Sequence, residues 1–176
     1  GIEEGANRTK QIVLGLRSFS RVDEDEFKKA DTHEGLESTL MLLKNKIKNR
    51  IEVHKNYGDL PPLECIPGKI NQVFMNILNN AVEAIPEKGN IYLTTNLLVN
   101  KKTVTISIRD DGPGMPEGIR RRVFEPFFTT KEIGKGTGLG LSISYGIIEK
   151  HNGTIEVTSH PGKGTEFIIT LPVKQK

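Results

Sequence analysis

The stretch from Gly134 to Ile143, GKGTGLGLSI, sets glycines at alternate positions, Gly134, Gly136, Gly138 and Gly140, ahead of an apolar run. Glycine has no Cβ, so successive backbone N–H groups can turn toward one point and close on an anion. The run that follows, LGLSISYGIIEKH, spaces Leu139, Ile143 and Ile147 by four residues, with Leu141 and Ile148 nearby. It predicts a buried helix whose N-terminus faces the loop, and that chemistry is phosphate binding. Lys131 and Lys135 lie in the polar stretch up to Thr137, which reads as a lid from which an ammonium can reach phosphate. A lone glycine pattern is most often a plain loop, and exposed lysines most often only solubilise. Two further stretches supply what a nucleotide needs.

The first is NQVFMNILNNAVEAI, in which Asn76 and Asn80 fall one helical turn apart on a shared face, with Glu83 three residues on. An amide on an apolar helix is costly unless it has a partner. The polar side of such a helix is ordinarily just solvated, and that reading is taken for Asn71 and Asn79. Asn80 is read as functional, because an amide oxygen is a hard ligand suited to Mg²⁺. The second stretch is DDGPGM, residues 110–115, at the end of the alternating run VTISIRD. Asp110 there is an acceptor held beside glycines that let a flat ligand approach, although an aspartate in this setting can equally be a turn cap.

The elements that must position these groups follow from periodicity. Residues 1–21 read as a helix with Ile12, Leu16 and Phe19 on one stripe; it opens without an N-cap, as a piece of a longer parent would. Residues 22–31, VDEDEFKKAD, are charged and poor in apolar side chains, and are read as a linker. Asp31 or Thr32 can cap a helix whose buried face is Leu36, Leu40, Leu43 and Ile47. A strand over 50–56 comes next, then a helix from Lys69 to Ile85 stopped by Pro86. Two hairpins complete the chain, 90–99 with 103–109 and 153–160 with 165–171. Between the hairpins Phe124, Phe127 and Phe128 gather about Pro126 and are expected in the core. Because successive strands mostly join by short turns, the fold expected is an α/β two-layer sandwich and not a doubly wound sheet.

The totals narrow the class. The chain has 176 residues, enough for one substantial core. Its net charge of +3 is too small and too dispersed to indicate nucleic acid, and none is expected as partner. One cysteine, Cys65, rules out an internal disulfide framework and a Cys-rich zinc site, and reads as a small core residue. No apolar run reaches membrane-spanning length. A cytoplasmic location is expected, with membrane anchoring of the parent left open.

The asparagine helix, DDGPGM, FEPFFTTK, GKGTGLGLS and the final GKGTEFIITLP resemble, in order and spacing, the N, G1, F, G2 and G3 boxes of sensor histidine kinases. The match covers roughly residues 32–173. The resemblance implies the Bergerat fold, a mixed five-stranded sheet backed by three helices, over 32–176, preceded by one helix of a dimerisation hairpin at 1–21 and the linker at 22–31. It implies ATP and Mg²⁺ as ligands. Asp110 would receive the adenine amino group, Gly112 and Gly114 would shape the adenine pocket, and Asn80 would hold Mg²⁺ with Asn76 near the phosphates. Gly136, Gly138 and Gly140 would cradle phosphate, with Thr137 and Leu139 in the same loop. Lys131 or Lys135 would neutralise charge in place of the basic residue that many relatives carry where this chain has Glu83.

Related ATPases place a glutamate one turn before the magnesium asparagine to activate water; this chain has Asn76, and an amide cannot act as that base. Phosphoryl transfer is therefore expected over hydrolysis, with Asn76 and Lys131 as its catalytic residues. The acceptor histidine would lie on a hairpin helix absent from the sequence, and relay would pass to an aspartate of a response regulator receiver domain, the parent acting as a homodimer. His33, although followed by Glu34, lacks the rest of the acceptor pattern and is read as surface or capping, and His54, His151 and His160 have equally ordinary explanations. The alternatives are a related kinase of another protein target and a nucleotide-gated interaction module.

Overall fold

The computed structural model describes residues 26–100, 102–128 and 139–175. The elements are β1 (Lys28–Ala30), α1 (Thr32–Leu42), α2 (Lys44–Ile47), β2 (Ile51–Tyr57), β3 (Leu63–Cys65), α3 (Pro67–Ala84), β4 (Gly89–Leu97), β5 (Thr103–Asp110), α4 (Glu117–Arg120), α5 (Gly140–Lys150), β6 (Thr154–Ser159) and β7 (Thr165–Pro172). Five strands form one mixed sheet in the order β2-β4-β5-β7-β6, parallel between β2 and β4 and antiparallel elsewhere. The three long helices, α1, α3 and α5, form the second layer, so the two-layer sandwich and its five-stranded sheet are as expected.

Alternation along the strands builds the inner face. Ile91 and Leu93, Val104, Ile106 and Ile108, and Phe167, Ile169 and Leu171 point into one cluster with Leu36 of α1 and Ile148 of α5. From α3 come Ile70, Val73, Phe74, Ile77, Leu78, Ala81 and Val82, an i, i+3, i+4 stripe. Each such side chain fully withdrawn from water contributes about 1.5–3 kcal/mol. Cys65 belongs to this core, and burial pushes its thiol up to about 11.

Several expectations are corrected. The tail of the stretch read as a linker is a strand, with Lys28, Lys29 and Ala30 pairing antiparallel to Cys65, Glu64 and Leu63. Three residues between charged neighbours are too short to show alternation, so the pairing has no local signature. The helix expected from 32 to 47 breaks at Leu43, which is buried in the core, and Ile47 is only half-buried. Asp31 is the cap, accepting from the N–H groups of His33 (2.9 Å) and Glu34 (3.4 Å). Of the three phenylalanines, Phe124 packs against Tyr145 and Phe167, whereas Phe127 is 73% exposed at a left-handed φ of 66°. In α5 Ser144 and Ile148 are buried and Leu141 and Ile147 pack against the core as expected, but Ile143 faces outward. Asn71 is buried and not solvated. The helix expected over 1–21 lies outside the described residues.

The long helix α3 is fixed at both ends by side chains from elsewhere. At its N-terminus Pro67 occupies the first turn, where a missing N–H costs nothing. The Ile66 N–H just before it donates to His151 Nε2 (3.0 Å), and His151 Nδ1 lies 2.8 Å from the Ile147 carbonyl. A carbonyl only accepts, so the imidazole is the neutral tautomer with its proton on Nδ1. Burial holds this ring below the usual histidine range. At the C-terminus Arg50 donates to the carbonyls of Val82 (3.0 Å), Ile85 (2.9 Å) and Glu87 (3.3 Å), doing the work of a cap.

Candidate nucleotide site

Asp110 ends β5 at 4% exposure, opposite Ile91 on one side and Thr165 on the other. Its Oδ1 accepts from the Gly112 N–H (2.9 Å). Burial pushes its carboxyl above the ordinary carboxylate range, and the backbone N–H groups of Gly112 and Thr165 work in the opposite sense. Asp111 next to it behaves differently. Burial acts to raise it, but donation from the Asn90 backbone (2.7 Å) and side chain (2.9 Å) outweighs that, and its carboxyl is held low. Asp111 therefore anchors the start of β4, leaving Asp110 as the acceptor with capacity to spare.

The turn after Asp110 is built by close approach. A Cβ on Gly112 would stand 3.0 Å from the Ala84 carbonyl at the end of α3. Gly114 has φ +71° and packs so tightly that a Cβ would lie 2.0 Å from the His160 carbonyl. Ser159, Gly164 and Thr165, at the β6–β7 turn, close this side of the site; none was singled out from the sequence. The GT of the final GKGTEF was the available signal.

The other end lies where α3 meets α5. Asn76 Nδ2 donates to the Gly140 carbonyl (2.9 Å) and the Ser144 hydroxyl (3.0 Å). Its amide is thereby oriented, with Oδ1 turned away from those partners. Asn80, one turn on and half-buried, has a carboxamide with no hydrogen-bond partner among the described residues. Leu139 is half-buried at the N-cap of α5, and no side chain among the described residues caps that terminus, an arrangement suited to an anion. Lys131, Lys135, Gly136, Thr137 and Gly138 lie outside the described residues. Asn76, Asn80 and Ala84 follow at four-residue intervals on one face of α3, so Asn80 stands midway between the α5 terminus and the Gly112 turn. At 1.5 Å per residue those two ends are about 12 Å apart along the helix.

Three of the four histidines have structural partners. His33 stacks on Tyr57 (4.2 Å between centroids) with Nε2 2.7 Å from Thr95 Oγ1. His54 stacks on Tyr92, and His151 is wholly buried. His160 is exposed in the β6–β7 turn. Among the described residues no group of three His, Cys, Asp or Glu can hold a metal.

Residues 66–175 match the model of the histidine kinase-, DNA gyrase B- and HSP90-like ATPases. The chain belongs to that family. This histidine kinase-type ATPase domain is 54% identical over 117 residues to sporulation kinase E of Bacillus subtilis, covering 66% of the chain and 15% of the relative. It is 40% identical over 185 residues to the sensor kinase CckA of Brucella abortus, covering 97% of the chain and 20% of the relative. The chain thus spans a fifth or less of the length of these curated relatives. Among solved structures, the catalytic domain of the histidine kinase ThkA superposes with a TM-score of 0.74 at 34% identity, covering 84% of this chain and 98% of that one. ThkA in complex with the response regulator TrrA superposes with a TM-score of 0.72 at 27% identity, covering 96% of this chain and 49% of that one. The chain is accordingly a catalytic, ATP-binding domain of the sensor histidine kinase type. No helix among the described residues is long and apolar enough to cross a membrane.

Proposed function

We propose that this domain binds Mg-ATP along α3 and passes the γ-phosphoryl group to a histidine on a dimerisation helix of its parent, for relay to a receiver-domain aspartate. The observation that carries the reading is the face Asn76, Asn80, Ala84, which joins an acceptor-lined turn at one end to an uncapped helix terminus at the other. Asp110 accepts from the adenine amino group, and Gly112 and Gly114 allow the ring to lie against backbone. The first turn of α5, from Gly140, receives phosphate at its N–H groups, with Gly136, Thr137, Gly138 and Leu139 completing the cradle and Lys131 and Lys135 neutralising charge.

An unpartnered carboxamide oxygen fits Mg²⁺, so Asn80 is the residue that would hold it; the ion, when bound, offsets phosphate charge. Asn76 positions the start of α5 against α3 and offers Oδ1 toward the same space. Its amide cannot take a proton from water, which favours transfer over hydrolysis. Phe127, Ile143 and Tyr145 are exposed apolar side chains at or near the described ends of the phosphate segment, surface suited to the acceptor helix. Residues 1–21 are assigned to the hairpin's second helix, the residues from 22 up to β1 to the connection, and the parent to a cytoplasmically active homodimer.

Transfer of labelled γ-phosphate from Mg-ATP tests the reading, with the chain alone and with a separate hairpin fragment bearing the acceptor histidine. Acid-labile label on the added fragment alone is expected. Binding of ATP with no transfer to any presented histidine would favour a nucleotide-gated interaction module instead.

A further inference from the structure

Ser159 stands opposite Thr165 on β7, which stands opposite Asp110 on β5, so the three side chains form one row across neighbouring strands. All three are more than nine-tenths buried. The Ser159 hydroxyl accepts from the Met115 N–H (2.8 Å), donates to the Gly164 carbonyl (3.0 Å) and lies 2.8 Å from Thr165 Oγ1. It has only one proton. The Gly164 carbonyl cannot donate, so that proton is committed there, and the contact with Thr165 must use the proton of Thr165. Thr165 Oγ1, on the residue paired with Asp110, is left with lone pairs alone. The surrounding turns leave no slack: Gly164, at φ +76°, sits so close that a Cβ would lie 2.0 Å from the Asp110 carbonyl.

We propose that Ser159 is a positioning residue for base selection: by claiming the proton of Thr165 it makes this end of the site present acceptors only. The ligand edge such a row selects is one that donates, the 6-amino group of adenine, over a purine without that amine. The inference rests on the reading of Asp110 as the adenine end. Its chemistry is separate from that residue's own, because Ser159 acts through Thr165 and the Met115 turn.

The test compares this chain's affinity for ATP and for purine riboside triphosphate, which differs from ATP only in lacking the 6-amino group. Wild type should prefer ATP by about tenfold or more. In Ser159→Ala the Thr165 hydroxyl loses the oxygen it donates to, its proton is free to turn against the 6-amino group that ATP alone carries, and the preference should narrow by about fivefold. Ser159→Thr, which keeps the hydroxyl, should retain it. If Ser159→Ala weakens both nucleotides by one common factor, the residue is structural only and the proposal is overturned. Where that variant does not fold, Thr165→Val serves: loss confined to ATP supports the proposal, and equal loss overturns it. A wild-type chain that binds no ATP removes the nucleotide site and this inference together, whereas ATP binding with an unchanged preference in the variants removes the inference alone.

Discussion

The two ends of the candidate site are made in opposite ways. Around Asp110 the side chains of Asp110, Ser159 and Thr165 are buried and held by hydrogen bonds: Gly112 N–H on the carboxylate, Ser159 between Met115, Gly164 and Thr165, with glycines at backbone contact distance. Around Asn80 the groups are half-buried, with a carboxamide that has no partner and a helix terminus that has no side-chain cap among the described residues. The first end is a rigid form set into the sheet, suited to reading the shape and donors of a base. The second leaves polar groups available, as the proposed binding of phosphate and Mg²⁺ requires.

The contrast gives a graded set of expectations. Asp110→Asn should do most damage, because the amide turns a donor toward either the Gly112 N–H or the ligand amine. ATP affinity should fall at least about 30-fold, about 2 kcal/mol, by calorimetric titration; unchanged affinity would move the base elsewhere. Asn80→Ala acts at the open end and should abolish the gain in nucleotide affinity on adding Mg²⁺ with little change in folding stability. A variant that still binds more tightly with Mg²⁺ would dissociate Asn80 from the ion.

Arg50 touches neither end but holds the helix both share. Arg50→Met should lower stability by about 2 kcal/mol, roughly 4–8 °C in melting temperature, as three helix-end carbonyls lose a charged donor. The smallest effect is that of His151. Its folded value lies below the ordinary 6.5, so the unfolded chain takes up the proton first as pH falls. Its contribution is present in full above 6.5 and is lost as pH falls from there toward the lowered folded value, by at most about 1.4 kcal/mol per pH unit. Urea titrations at several pH values should show this slope in wild type and a shallower one in His151→Gln.

The sheet and α3 were legible because their periods are long and clean; strand limits agree within a residue or two for β2, β5, β6 and β7. Of the candidate site residues, Asn76 and Asn80 stood out as amides on an otherwise apolar helix, and Asp110 as a carboxylate at a strand end beside glycines. What sequence could not show is pairing over distance. The β1–β3 ladder, the grip of Arg50 on α3 and the wedge of His151 against Ile66 join residues far apart in the chain, and each looks ordinary in its local window. Phe127 misled for a related reason: an aromatic beside proline suggests core, but a left-handed backbone turned it out to solvent.

The small β1–β3 ladder has a mechanical meaning. Three pairs, Lys28 with Cys65, Lys29 with Glu64 and Ala30 with Leu63, tie the point where the preceding segment enters to a strand that one residue later becomes α3. Antiparallel strands pulled along their length share load across all their rungs at once and so resist sliding. A tug or twist applied to the chain just ahead of Lys28 would therefore reach the root of the helix that carries Asn76 and Asn80 through a joint three residues wide.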